Sequence, residues 1–131
     1  MTEQATGTFE ITSWDERPFH EGDDGRKLTR ASVTQHHTGD LDGDAAVEYL
    51  MSYQPDGTAT FVTLQRFDGA VAGRHGSFVL QGEGAFADGV ARAPLRIVDG
   101  SGTGDLAAIS GGGSFRAKGH DTSFALEYEL A

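Results

Sequence analysis

Thr8-Phe9-Glu10-Ile11-Thr12 and Thr122-Ser123-Phe124-Ala125-Leu126-Glu127-Tyr128-Glu129-Leu130 alternate polar with apolar residues, the period of two that marks a half-buried β-strand. Similar segments, rich in Val, Ile, Thr, Phe and Tyr, recur between glycines along the whole chain. They predict about eight strands: Thr6–Trp14, Leu28–Thr38, Ala45–Gln54, Thr58–Phe67, Ala70–Gly73 kinking into Gly76–Gly82, Gly84–Ala87 or Val90–Val98, Gly113–Lys118, and Thr122–Leu130. Helical spacing is confined to Gly104–Ile109, where Leu106 and Ile109 stand three residues apart, enough for one turn that plugs an end of a barrel. The polar stretch Asp15–Lys27 predicts a long loop after the first strand, either a lid or plain surface.

Pro55-Asp56-Gly57 between two strong strand patterns is a hairpin signal, because Asp-Gly accepts the positive φ angles of two-residue turns. Asp42-Gly43, Asp68-Gly69 and Asp88-Gly89 repeat it. Connections this short cannot carry crossover helices, so the strands form an antiparallel meander. A meander of about eight strands loses its exposed edges by closing. The expected fold is therefore all-β: a single closed or nearly closed antiparallel eight-stranded β-barrel spanning residues 1–131.

A chain of 131 residues is long enough for one core. Ten Lys plus Arg against 20 Asp plus Glu give a net charge of −10, which repels phosphate backbones and anionic lipid surfaces; neither nucleic acid nor a membrane is an expected partner. With no cysteine, disulfides and thiolate metal sites are ruled out and packing alone must hold the core. The opening residues lack the charged and apolar regions of a signal peptide, and no apolar run approaches the roughly 20 residues of a membrane-spanning helix. A cytoplasmic location is the expectation.

The candidate chemical motifs each have a structural explanation. Asp40-Leu41-Asp42-Gly43-Asp44 places carboxylates on alternate residues as a calcium loop does, but Met51 stands where that loop needs its bidentate Glu. His36 and His37, adjacent in a strand, point to opposite faces, while His20, His75 and His120 are isolated. No metal site is expected. Gly100-Ser101-Gly102-Thr103-Gly104 follows a strand but lacks the Lys-Ser/Thr pair and long helix of a phosphate loop. No nucleophile elbow is present, and no motif calls for a cofactor.

Two resemblances bear on the fold. Val98-Asp99-Gly100-Ser101-Gly102-Thr103-Gly104-Asp105-Leu106 resembles the Gly-Thr-Gly turn of allene oxide cyclases and dirigent proteins, whose fold is an eight-stranded, calycin-like barrel. Gly7-Thr8-Phe9-Glu10, Trp14-Asp15-Glu16, Lys27-Leu28-Thr29-Arg30-Ala31, Glu48-Tyr49-Leu50-Met51 and Gly73-Arg74-His75-Gly76-Ser77-Phe78, with that turn, are similar to the bacterial family known as domain of unknown function 3224. The resemblance implies an allene-oxide-cyclase-like barrel and carries no activity with it.

Polar and aromatic residues within strands are the remaining site candidates, since a buried polar side chain is costly unless paired or used. In Val47–Tyr53 one face carries Val47, Tyr49, Met51 and Tyr53, and the other Glu48, Leu50 and Ser52. Trp14, Glu48, Tyr49, Tyr53, Arg66 and Arg74 are expected to ring a cavity at one barrel mouth and bind a small, partly apolar molecule, the arginines meeting its polar group. The alternatives are an isomerase or cyclase with Glu48 as general base, or a barrel filled by side chains that serves only in assembly. Ala59-Thr60-Phe61-Val62-Thr63-Leu64 is apolar on both faces, so its outer face calls for a second subunit and a homo-oligomer.

Overall fold

The structure, a computed structural model, describes residues 2–130. Eight strands follow one another: β1 (Glu3–Glu21), β2 (Lys27–Gly39), β3 (Leu41–Tyr53), β4 (Ala59–Val71), β5 (Arg74–Ala87), β6 (Val90–Ile97), β7 (Ser110–Lys118) and β8 (Asp121–Glu129). Each pairs antiparallel with its chain neighbours, and β1 pairs with β8 to close the barrel. The turns β1–β2, β3–β4, β5–β6 and β7–β8 share one end, here called the mouth. Among the described residues no helix is long and apolar enough to cross a membrane.

Alternation sets the inside. Thr29, Ala31, Val33, Gln35 and His37 of β2, and Val47, Tyr49 and Met51 of β3, are buried, while the residues between them are exposed or partly so. The helical turn forms as a 3-10 turn over Gly104–Leu106, and Leu106 and Ile109 join the core at the end opposite the mouth.

The structure departs from the sequence expectation in three places. β1 continues through Glu21, because Asp15–Arg17 pair with Arg30–Ser32 and Glu21 with Lys27; only residues 22–26 are left as a turn. β8 accompanies β1 only along Glu3–Gly7, so the polar half of β1 is a one-sided overhang whose composition reads as loop. Asp42-Gly43 and Asp68-Gly69 lie inside β3 and β4, not in turns. There Gly43 faces Gly69 across the ladder, so closely that a Cβ on either would come within 2.7 Å of the other's Cα. Ala70 and Val71 end β4 and are not part of a kinked strand with Gly76–Gly82. The turn falls at Ala72-Gly73, with φ values of 49° and 84°, the double positive φ of a type I′ hairpin. Gly84–Ala87 then belongs to β5, and Val90–Ile97 forms β6.

Rings fill the interior. Phe9 meets Phe115 edge-on with centroids 6.0 Å apart, Phe115 stacks on Phe61 at 6.3 Å, and Phe61 meets Tyr49 at 5.3 Å. Below this column His37, 1% exposed, lies among Phe9, Phe67 and Phe124 with ring separations of 5.0–5.6 Å. Its Nε2 is 3.4 Å from the Gln65 side-chain nitrogen, and its Nδ1 has no partner among the described residues. Burial pushes the His37 pKa down to about 4, and the neighbouring His36 adds to the shift.

The folded state therefore binds the His37 proton later than the unfolded chain does. This contribution is fully in place above the ordinary histidine pKa of 6.5 and is lost as pH falls from there to about 4. Wild type should lose up to about 3 kcal/mol over this window through His37, and His37→Phe should flatten that limb in denaturant titrations across pH. Gly104 holds a φ of 61°, and a Cβ there would lie 2.8 Å from the His75 carbonyl oxygen. Gly104→Val should therefore cost on the order of 2 kcal/mol or more, read as a lowered melting temperature.

Candidate binding site at the barrel mouth

The overhang of β1 places three inward-facing residues above the filled lumen. Trp14 pairs with Val33, Glu16 with Ala31 and Pro18 with Thr29. Ala31 also faces Tyr49 on β3, and its small side chain lets the Trp14 and Tyr49 rings meet across β2, 5.4 Å apart and tilted by 40°. Trp14 is 44% exposed and tops the aromatic column.

Beside it, Glu16 accepts three hydrogen bonds from neutral donors. Trp14 Nε1 donates to Oε1 at 3.0 Å, and Thr29 Oγ1 and Tyr53 Oη each donate to Oε2 at 2.7 Å. Lys27 Nζ lies over the Tyr53 ring, 4.9 Å from its centroid. Burial pushes the Glu16 carboxyl up, but the bonds from Thr29, Tyr53 and Trp14, with the Lys27 charge, outweigh it and hold the group below its ordinary pKa. Burial, reinforced by Glu16, pushes the Tyr53 phenol up to about 12, and burial does the same to Tyr49. At neutral pH the site is one fixed carboxylate among neutral hydroxyls and rings, with the Lys27 ammonium at its side.

Three of the six expected site residues, Trp14, Tyr49 and Tyr53, come together here. Glu48, Arg66 and Arg74 do not. Glu48 lies on the outer face of β3, where Arg30 bonds it at 2.7 Å and Ser32 at 3.0 Å; these bonds lower its pKa, against the raised value a general base would need. Arg66 points outward on β4 toward Asp68 at 3.5 Å, and Arg74 pairs with Glu3 at 3.3 Å at the end opposite the mouth. Strand parity separates them from the mouth: Glu48 alternates with Tyr49, and Arg66 with the buried Gln65 and Phe67.

Glu16, Thr29 and Lys27 were missed. The signal was the two-residue spacing Trp14-x-Glu16-x-Pro18, masked by the polar composition of an overhanging strand. His36 and His37 do point to opposite faces, His36 outward to Asp44 at 2.9 Å. Where β1 leaves β8, a cleft of about 600 Å³ opens, lined by Phe9, Ile11, His120 and Thr122 among others. It adjoins the β1 segment that carries Trp14.

These features define an up-and-down eight-stranded barrel with a packed lumen and an aromatic mouth in which Glu16 is the inward-facing carboxylate. The chain belongs to the family described as protein of unknown function (DUF3224), whose profile matches residues 5–129. A crystal structure of a DUF3224-family protein of unknown function from Shewanella oneidensis is similar along 100% of this chain and 99% of that one, with 25% identity and a TM-score of 0.82. No curated protein matches the chain.

Replacing Glu16 with Gln removes the charge that helps hold the Tyr53 proton. Tyrosinate absorbance in a pH titration should show the Tyr53 pKa falling from about 12 toward the ordinary phenol value. The same substitution should destabilise the fold by about 1–2 kcal/mol, because a carboxylate acceptor serving three donors becomes a neutral amide.

Proposed function

We propose that the chain is a binding module that takes a small, partly apolar molecule carrying a cationic group at the barrel mouth. The observation that carries this reading is the Glu16 carboxylate, held ionised by three neutral donors beside a half-exposed indole. Trp14 offers an apolar face, and an ammonium or guanidinium group gains both from a carboxylate and from an aromatic ring. Lys27 already sets its own ammonium over Tyr53, which marks the spot as one where a cation rests well.

The placement of the arginines supports this polarity. A ligand carboxylate would find neither Arg66 nor Arg74 at the mouth, and Lys27, the ammonium beside the site, already lies over the Tyr53 ring. A cyclase or isomerase on this scaffold would need a carboxylate with raised proton affinity, whereas Glu16 and Glu48 are both held below the ordinary value.

Trp14 is the single tryptophan of the chain, so its fluorescence reports directly on the mouth. Titration with phenethylamine should shift the emission, and 3-phenylpropionate, which carries a carboxylate on the same phenylethyl stem, should not. Glu16→Gln should weaken the amine response about tenfold or more. An equal response to both compounds, or none to either, would sink the reading.

A further inference from the structure

We infer that the outer face of β2–β5 pairs two copies of this chain about a two-fold axis running parallel to the strands. The inference is independent of the mouth site and starts from an apolar surface without cover. Leu50 is 49% exposed, Val62 45%, Leu64 56% and Phe19 61%. Phe19, Leu28, Leu50 and Val62 line one groove of about 430 Å³ on the outside of the barrel. Contiguous apolar surface of this kind on a chain of net charge −10 marks an association face.

The cross-strand register says what fits it. One row runs Arg30, Leu50, Val62, Glu83 across β2, β3, β4 and β5: a cation and an anion at the ends, two aliphatic residues in the middle. A two-fold axis parallel to the strands and midway between β3 and β4 sets Leu50 of one copy on Val62 of the other. It sets each Arg30 on the other copy's Glu83. The next row toward the mouth, Leu28, Ser52, Thr60, Ala85, sets Ser52 on Thr60 and Leu28 on Ala85 under the same operation. The row on the other side, Ser32, Glu48, Leu64, Gln81, sets Leu64 beside the other copy's Glu48, whose charge Arg30 meets at 2.7 Å.

A two-fold axis perpendicular to the strands would instead lay Arg30 on Arg30 and Glu83 on Glu83, so charge selects the first axis. Glu83 has no salt bridge among the described residues. Arg30 gives one nitrogen to Glu48 and keeps donors for a second carboxylate.

Sedimentation over a dilution series tests the pairing. Wild type should run with the mass of two chains at the concentrated end and dissociate on dilution. Leu50→Asp should abolish the dimer. Glu83→Arg should weaken it about tenfold or more, and adding Arg30→Glu to Glu83→Arg should bring it back to within about threefold of wild type.

Melting temperatures near wild type for the charge variants would show that they remain folded, as their exposed positions lead one to expect. A chain that is monomeric throughout, leaving this face to solvent or to some other protein, overturns the inference. So does a dimer indifferent to Leu50→Asp and Glu83→Arg, or a Glu83→Arg defect that the second swap does not repair.

Discussion

Closing eight strands into a barrel fixes an interior about one side chain deep from each wall, and that space must be filled. Here aromatic rings fill it. The column from Phe9 through Phe115 and Phe61 to Tyr49 occupies the middle and leaves the rim as the place where inward-facing side chains meet solvent. The same requirement explains residues that look unrelated in sequence. Gly43 and Gly69 occupy the register level opposite His37, where the His37 and Phe67 rings take up the interior. Ala31 is small where Trp14 must reach Tyr49. Interior volume, more than strand propensity, decides which residue each inward position can hold.

Much of the fold was legible because burial on one face writes a period of two into every strand, and the meander follows from the shortness of its connections. The failures share a physical origin. An Asp-Gly step has the same composition whether glycine supplies a positive φ, as at Asp88-Gly89, or lets two backbones approach, as at Gly43 and Gly69. Asp15–Glu21 has one strand neighbour instead of two and little to bury, so the pattern that betrays a strand fades. In the site, parity within β3 already set Tyr49 and Tyr53 apart from Glu48. Only the register between strands could reveal that Glu16 of β1 meets Thr29 of β2 and Tyr53 of β3, because those contacts are diagonal and span three strands.

The mouth differs from the outer surface in how its charge is compensated. Outside, carboxylates meet arginines in exposed pairs such as Arg30 with Glu48, which contribute little. Glu16 is instead bonded by an indole N–H and two hydroxyls, groups that lower its energy without cancelling its charge, and the nearby Lys27 ammonium sits over the Tyr53 ring without a hydrogen bond to Glu16. The net charge of the chain draws cations from a distance.

Beyond Phe9, whose amide still donates to Thr122 Oγ1 of β8 at 2.9 Å, β1 has β2 as its ladder partner alone, and the bulges near Thr12 and Phe19 interrupt even that pairing. Pro18, with no N–H, and the flanking charges deny the free edge to a passing strand. A segment tied on one side is also the first to let go. The overhang should form its own unit of local opening, exchanging its amide hydrogens well before the closed girdle does. Because Trp14 and Glu16 ride on it, the mouth can widen and narrow while the packed rings below keep their places.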